Sequence, residues 1–244
     1  MVFTISGMRD LREARQRRIG ARQLVRPEAP HMPRTGVRRL RHSGVAGTVG
    51  DYTGRCGWAV VPGARVARGG GACSCGDTGC ARPGAHPLPF ADEIPSGTPA
   101  PLAAEAWAQV PGAAVLLPVG RSFDVIEVAE APGRRAVVRL ERMGLRLGPV
   151  LLTPEGRARF FVAPGAAAEL PHLLYRMGWD DAQLDLRCLG AGDHVTAPPS
   201  DLAGLGPVRW LREPQPAGVP PQPPEARLLL GTLAYACHRE RALA

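Results

Sequence analysis

The chain has 244 residues, 45% hydrophobic and 21% charged, with 30 Gly, 26 Pro and a net charge of +8. This length and apolar fraction suit one substantial globular domain with appendages and exclude a fibrous or wholly disordered chain. The longest apolar run, residues 113–119, falls well short of the ~20 residues of a membrane-spanning helix, so no membrane association is expected.

Arg17-Arg18 is followed by a polar stretch rather than the apolar core of a secretion signal, which makes a cytoplasmic location the expectation. Every basic residue is arginine, a composition that points to a GC-rich bacterial genome. Charge is unevenly spread. Residues 1–43 hold eleven arginines against Asp10, Glu13 and Glu28, so the whole excess sits there and the remainder is neutral. Residues 1–50 lack apolar periodicity apart from a weak helical stretch near 8–24. They read as a basic arm, expected to be disordered, that would bind phosphate or an acidic surface. Translation from Met8 or Met32 would explain the same stretch without a role.

Residues 58–61 read as a short buried strand ended by Pro62-Gly63, and 63–99 as a Gly-, Cys- and Pro-rich loop. Thr98-Pro99 opens a helix, cap then proline, with Leu102, Ala106, Trp107 and Val110 on one face and Pro111-Gly112 as its stop. "AAVLLPVG" and "FDVIEVAE" are strand-length runs bounded by Gly or Pro. Residues 134–143 predict a helix with Val137, Leu140 and Met143 inward, closed by Gly144. "GPVLLTP" and "ARFFVAP" predict paired strands, 166–177 a helix ended by Gly178, and "LDLRCLG", "HVTAPPS" and "PVRWL" three further strands.

Residues 213–224 form a Pro-rich tether, and 225–244 an amphipathic helix with Leu229, Leu233, Ala236 and Cys237 on one face. Helices segregated from hairpins define an α+β fold. The expected organisation is an arm (1–50), a central domain (51–212), the tether and the terminal helix.

Cys73, Cys75, Cys80 and His86 form a C-x-C-x4-C-x5-H set in a loop with hardly any apolar side chains. Burial cannot order such a loop, whereas a zinc ion held tetrahedrally by thiolates and imidazole would. Reduced thiols and a redox switch are the alternatives. Six cysteines in a cytoplasmic chain argue against a disulfide framework. Cys56 is near enough in sequence to compete as a ligand, while Cys188 and Cys237 read as core thiols.

The ordered set "GWAVVPGARV", "CSCGDTGCARPGAHP", a Trp helix ending in "VPGAAVLLPVG", "FDVIEVAE", "LGPVLLTPEGRARFFV", "LDLRCLGAGDHVTAPPS" and "PVRWL" resembles the N-terminal domain of bacterial bifunctional DNA primase/polymerases, over roughly residues 52–212. The resemblance implies the archaeo-eukaryotic primase fold, a mixed sheet with an RRM-like half, here with a zinc-loop insertion. It also implies metal-dependent nucleotidyl transfer on DNA, in which carboxylates hold two divalent cations, Mg or Mn, against the attacking and leaving oxygens.

That chemistry uses an Asp-x-Asp on a strand, a His or basic residue at the triphosphate, and an Asp on a later strand. By this resemblance the first acid falls on Glu127 and the second on Ala129, with Asp124 and Glu130 nearby. The triphosphate-side histidine falls on Ala158, flanked by Arg157 and Arg159, and the third acid is Asp185. Glu127, Asp185 and Asp124 are thus the candidate catalytic residues and Arg157 and Arg159 the candidate phosphate contacts. Structural roles compete with these: Glu127 as a strand-end charge, Asp185 bonded to Arg187 or a turn, His194 in a turn and His172 on the surface.

No G-x-x-x-x-G-K-[ST] loop occurs, and the chain has no lysine, so a stand-alone domain without an ATPase motor is expected. Three functions match the pattern. One is a relative with an eroded carboxylate site that still binds nucleic acid or a nucleotide. The others are an inactive scaffold for a protein partner and an active nucleotidyltransferase. The acid missing at position 129 separates the last from the first two.

Overall fold

The computed structural model describes residues 44–179, 182–215 and 222–242. Residues 1–43, with the helical stretch near 8–24, and residues 216–221 of the Pro-rich stretch lie outside them. The described residues form five helices and ten strands, the α+β class read from the sequence.

α1 (Val45–Gly54) begins six residues inside the stretch assigned to the arm. Its buried residues are Val49, Gly50, Tyr52 and Thr53, too few large apolar groups to give a visible period. Gly50 is needed for the approach of α2 (Ala100–Ala108), since a Cβ there would stand 2.7 Å from that of Ala100. Pro99 is the N-cap of α2; the Thr98 hydroxyl instead donates to the Pro95 carbonyl at 2.7 Å. Ala103 and Trp107 face inward, whereas Leu102, expected inward, is 57% exposed.

β1 (Val61–Gly63), β2 (Ala114–Pro118) and β7 (His194–Thr196) form an antiparallel sheet in the order β1-β2-β7. β1 lies two to three residues later than read, and it contains Pro62 because an edge strand can spare an N–H. The larger sheet comes from the segment β3 (Asp124–Ala129), α3 (Glu130–Arg142), β4 (Val150–Leu152), β5 (Arg157–Val162), α4 (Ala166–Arg176) and β6 (Leu186–Leu189). These strands pair antiparallel in the order β4-β5-β3-β6, with β10 (Arg209–Arg212) added beside β4. That β-α-β-β-α-β arrangement is the split β-α-β unit of RRM-like and ferredoxin-like folds. A short hairpin, β8 (Asp201–Leu202) with β9 (Gly206–Pro207), was not read from the sequence.

Alternation along β5, Arg-Ala-Arg-Phe-Phe-Val, sorts the two faces of this sheet. Ala158, Phe160 and Val162 join Ile126 and Val128 of β3 under α3, α4 and α5 (Ala226–Arg241). Phe161, Val125 and Leu151 face the other way, onto Tyr52, Trp58 and Phe123. Trp58 stacks on Phe161 with ring centroids 5.4 Å apart, and the Trp210 indole donates to the Tyr52 hydroxyl at 3.2 Å.

α3 starts four residues before the expected helix, because Pro132 and Gly133 in its first turn conceal the period. Gly133 is required there: a Cβ would stand 2.5 Å from that of Ala158. Met143, expected inward, caps the helix and is 53% exposed. α5, expected to stand beyond a tether, packs on α3 in the helix-side core, where Leu229, Leu230 and Leu233 are fully buried. Each such leucine contributes ~1.5–3 kcal/mol of hydrophobic stabilisation.

Candidate functional site

On the sheet face that carries Phe161 and Val125, the apolar surface gives way to charge toward the end of β3. Register places Glu127 opposite Arg159 on one side and Arg187 on the other, and Ala129 opposite Arg157. Glu127 is 1% exposed. Arg159 Nε donates to its Oε2 at 2.6 Å, while Arg187 Nε and Arg157 Nε donate to Oε1 at 2.8 and 3.2 Å. Arg157 also grips Asp185, with Nη1 and Nη2 at 2.6 and 2.8 Å from the two carboxylate oxygens. Three guanidiniums thus face two carboxylates, an excess of one positive charge.

Burial works to raise the pKa of Glu127, but the charge and hydrogen bonds of Arg159, then Arg187, outweigh it and hold the carboxyl below its ordinary range. Asp185 is also lowered, chiefly by its hydrogen bonds from Arg157. The structure therefore brings together Glu127, Asp185, Arg157 and Arg159 of the sequence candidates. Arg187 was not among the candidates as a partner of Glu127. Its signal was the Asp185-x-Arg187 spacing, which puts both side chains on one face of a strand.

Asp124 is not part of this cluster. It sits on β3 with Ile126 and Val128, facing away from Glu127, and its Oδ2 accepts the Ala167 N–H at 2.9 Å, near the start of α4. A carboxylate there complements the partial positive charge of the helix terminus. Ala158, the position matched to the triphosphate histidine, is also on the helix side, 0% exposed under Gly133. The polar β5 side chains on the face of Glu127 are those of Arg157 and Arg159.

The cysteine loop is a second, separate constellation. The ligand atoms of Cys73, Cys75, Cys80 and His86 all lie within 4.8 Å of one another. His86 Nε2 stands 3.4 Å from the Cys73 sulfur and 3.3 Å from that of Cys80. Its Nδ1 lies 2.7 Å from the Pro87 carbonyl. Donation to that oxygen leaves Nε2 with its lone pair toward the sulfurs, the arrangement typical of metal-bound histidine. Burial tends to raise the Cys73 thiol, but the N–H groups of Cys75 and Gly84, with His86, bring it down to about 6. This Cys3His set can hold a metal ion such as zinc. Cys56 lies apart from it in the aromatic core, where burial pushes its thiol up to about 12. Cys188 and Cys237 pack in the helix-side core. His194 sits half-buried on β7, its pKa lowered by burial and by Arg82, and His172 is exposed on α4.

An RRM-like antiparallel sheet joined to a smaller sheet, with a Cys3His loop and a charged cluster at the end of its central strand, defines an α+β protein of the split β-α-β kind. The family model for the N-terminal domain of bifunctional DNA primase/polymerases matches residues 50–226, and the chain belongs to that family. Neither a curated protein nor a solved structure matches it. Among the described residues, no helix is long and apolar enough to cross a membrane.

Proposed function

We propose that this chain is a primase-polymerase domain that has lost nucleotidyl transfer and retains binding of nucleic acid or a nucleotide. The supporting observation is the state of Glu127. Holding a divalent cation requires carboxylate lone pairs that are free to coordinate it. Both oxygens of Glu127 already accept from Arg157, Arg159 and Arg187, and Asp185 is held by Arg157. Ala129 has no ligand atom, and Asp124 serves the opposite face. These residues do not fit a pair of divalent cations.

Retained binding is supported by the excess positive charge of the cluster. Arg187 has 64% of its side chain exposed, and Arg157 and Arg159 lie beside it on neighbouring strands. In this reading the guanidiniums neutralise the carboxylates in place of cations, and the outer ones meet phosphate. The Cys73, Cys75, Cys80 and His86 set holds zinc and orders a loop that has little core of its own.

Primer extension on a primed template with magnesium or manganese tests the reading. No product above background is expected from the unmodified chain or from Ala129→Asp. Robust extension that is lost in Asp185→Ala would overturn it. Asp185 is 63% exposed in its side chain, so this variant keeps the fold.

A further inference from the structure

The face of the large sheet opposite Glu127 is covered by α3 and α5, and their outer surface carries a second concentration of arginine. Arg135, Arg139 and Arg142 recur at helical spacing along α3, which sets them on one side. Tyr235 and Arg239 recur in the same way on α5. Between the helices lies a cavity of about 280 Å³ lined by Arg135, Arg139, Thr232, Tyr235 and Arg239. Arg135 is paired with Glu240, but Arg139, Arg142 and Arg239 have no carboxylate partner among the described residues. The arginines and acids of residues 44–244 balance, so uncompensated cations here reflect segregated charge rather than a general excess. The Arg139 guanidinium lies 5.3 Å from the centroid of the Tyr235 ring. Tyr235 is 43% exposed, with Val138 and Met143 open nearby.

We infer that this α3–α5 face binds single-stranded nucleic acid, with Arg139, Arg142 and Arg239 on the phosphates and the Arg139–Tyr235 pair as a platform for a base. The inference rests on the reading that nucleic-acid binding is retained, and it names a second surface, besides the Glu127 cluster, that takes part in it. Guanidinium forks match phosphate oxygens in pairs. A guanidinium laid over a ring is a planar surface on which an unpaired base stacks, whatever its identity. That element favours a ligand with planar rings over an acidic protein segment, and exposed bases over a closed duplex.

The test is fluorescence anisotropy of a labelled thymidine oligonucleotide of about 16 nucleotides against the full chain over a salt series. The triple variant R139A/R142A/R239A is expected to bind at least about tenfold more weakly. The slope of its log affinity against log salt should be shallower by about 2, since each phosphate contact on a single strand contributes about 0.7. Tyr235→Leu, which keeps apolar bulk, should weaken the thymidine oligomer by about fivefold or more and leave an abasic oligomer of equal length unaffected. Arg65→Ala, beside the cysteine loop, should change neither. Unchanged affinity and slope in the triple variant would overturn the assignment of this surface while leaving retained binding intact. No binding by the unmodified chain at low salt would overturn both. Equal response of the two oligomers to Tyr235→Leu, with displacement by polyglutamate as effective as by oligonucleotide, would assign the face to an acidic protein segment instead.

Discussion

Glu127→Gln would remove the negative charge from the best-buried member of the arginine cluster and leave Arg159, with 9% of its side chain exposed, behind. Breaking a buried pair from one side costs about 3–5 kcal/mol, so the variant should unfold at clearly lower urea than the parent. A carboxylate kept only for metal binding would show no such cost. The same pair predicts an acid limb. Glu127 and Asp185 have folded pKa values below their unfolded ones, so their stabilisation is complete above the unfolded carboxylate value of about 4. It is lost as pH falls through the lower folded values. Thermal melts should be level in this respect above about pH 5 and fall below about pH 4, with a smaller fall in Glu127→Gln. Ala158→His should fail for a steric reason. The methyl group of Ala158 is fully buried against α3 at Gly133, and overpacking of this kind costs ~1–3 kcal/mol or more. Lower stability with no gain in triphosphate affinity is expected, measured by urea melts and nucleotide titration.

At the scale of elements, the cysteine loop and α5 depend on different forces. The buried cluster around the loop consists of Ala64, Cys73 and Leu88, a small apolar contribution. Metal coordination would then be the main ordering interaction. Purified protein should carry about one zinc per chain, and chelation should open residues 65–87 to protease while the far-UV signal of the sheet domain persists. Protein without bound metal, or cleavage unaffected by chelation, would refute this. α5 is held by hydrophobic packing, with Leu233 fully buried in the cluster it shares with residues of α3 and the sheet. Leu233→Ala should cost about 2–5 kcal/mol in urea unfolding of the whole domain. A terminal helix independent of the core would instead lose only its own structure.

At the scale of the whole molecule, the uneven spread of positive charge along the chain is the property to test. The eleven arginines of residues 1–43, the unpaired ones of α3 and α5 and the three around Glu127 are concentrations of cations. Deleting residues 1–43 should weaken oligonucleotide binding and flatten its salt dependence without abolishing it, the remainder being the share of the helical face and of the arginines around Glu127. A slope unchanged by the deletion would leave the arm without a part in binding.

Most elements were legible locally. Strands such as "FDVIEVAE" and "ARFFVAP" are short apolar runs between Gly and Pro, and the Cys/His spacing needs only a loop to bring four ligands together. α1 and the first turn of α3 were not, because small residues, Pro132 and Gly133 carry no period. The candidate site was half legible. Alternation along β3 already separates Asp124 from Glu127, but nothing local shows which strand lies beside which. Only the order β4-β5-β3-β6 sets Arg159 and Arg187 on either side of Glu127 and turns Ala158 toward the helices. The sequence by itself determined the family and the Cys/His spacing of the loop, since each is a matter of residue type and spacing along the chain. Tertiary structure alone decided that Glu127 is neutralised by arginines, because register between strands distant in sequence fixes which charges meet in a buried place.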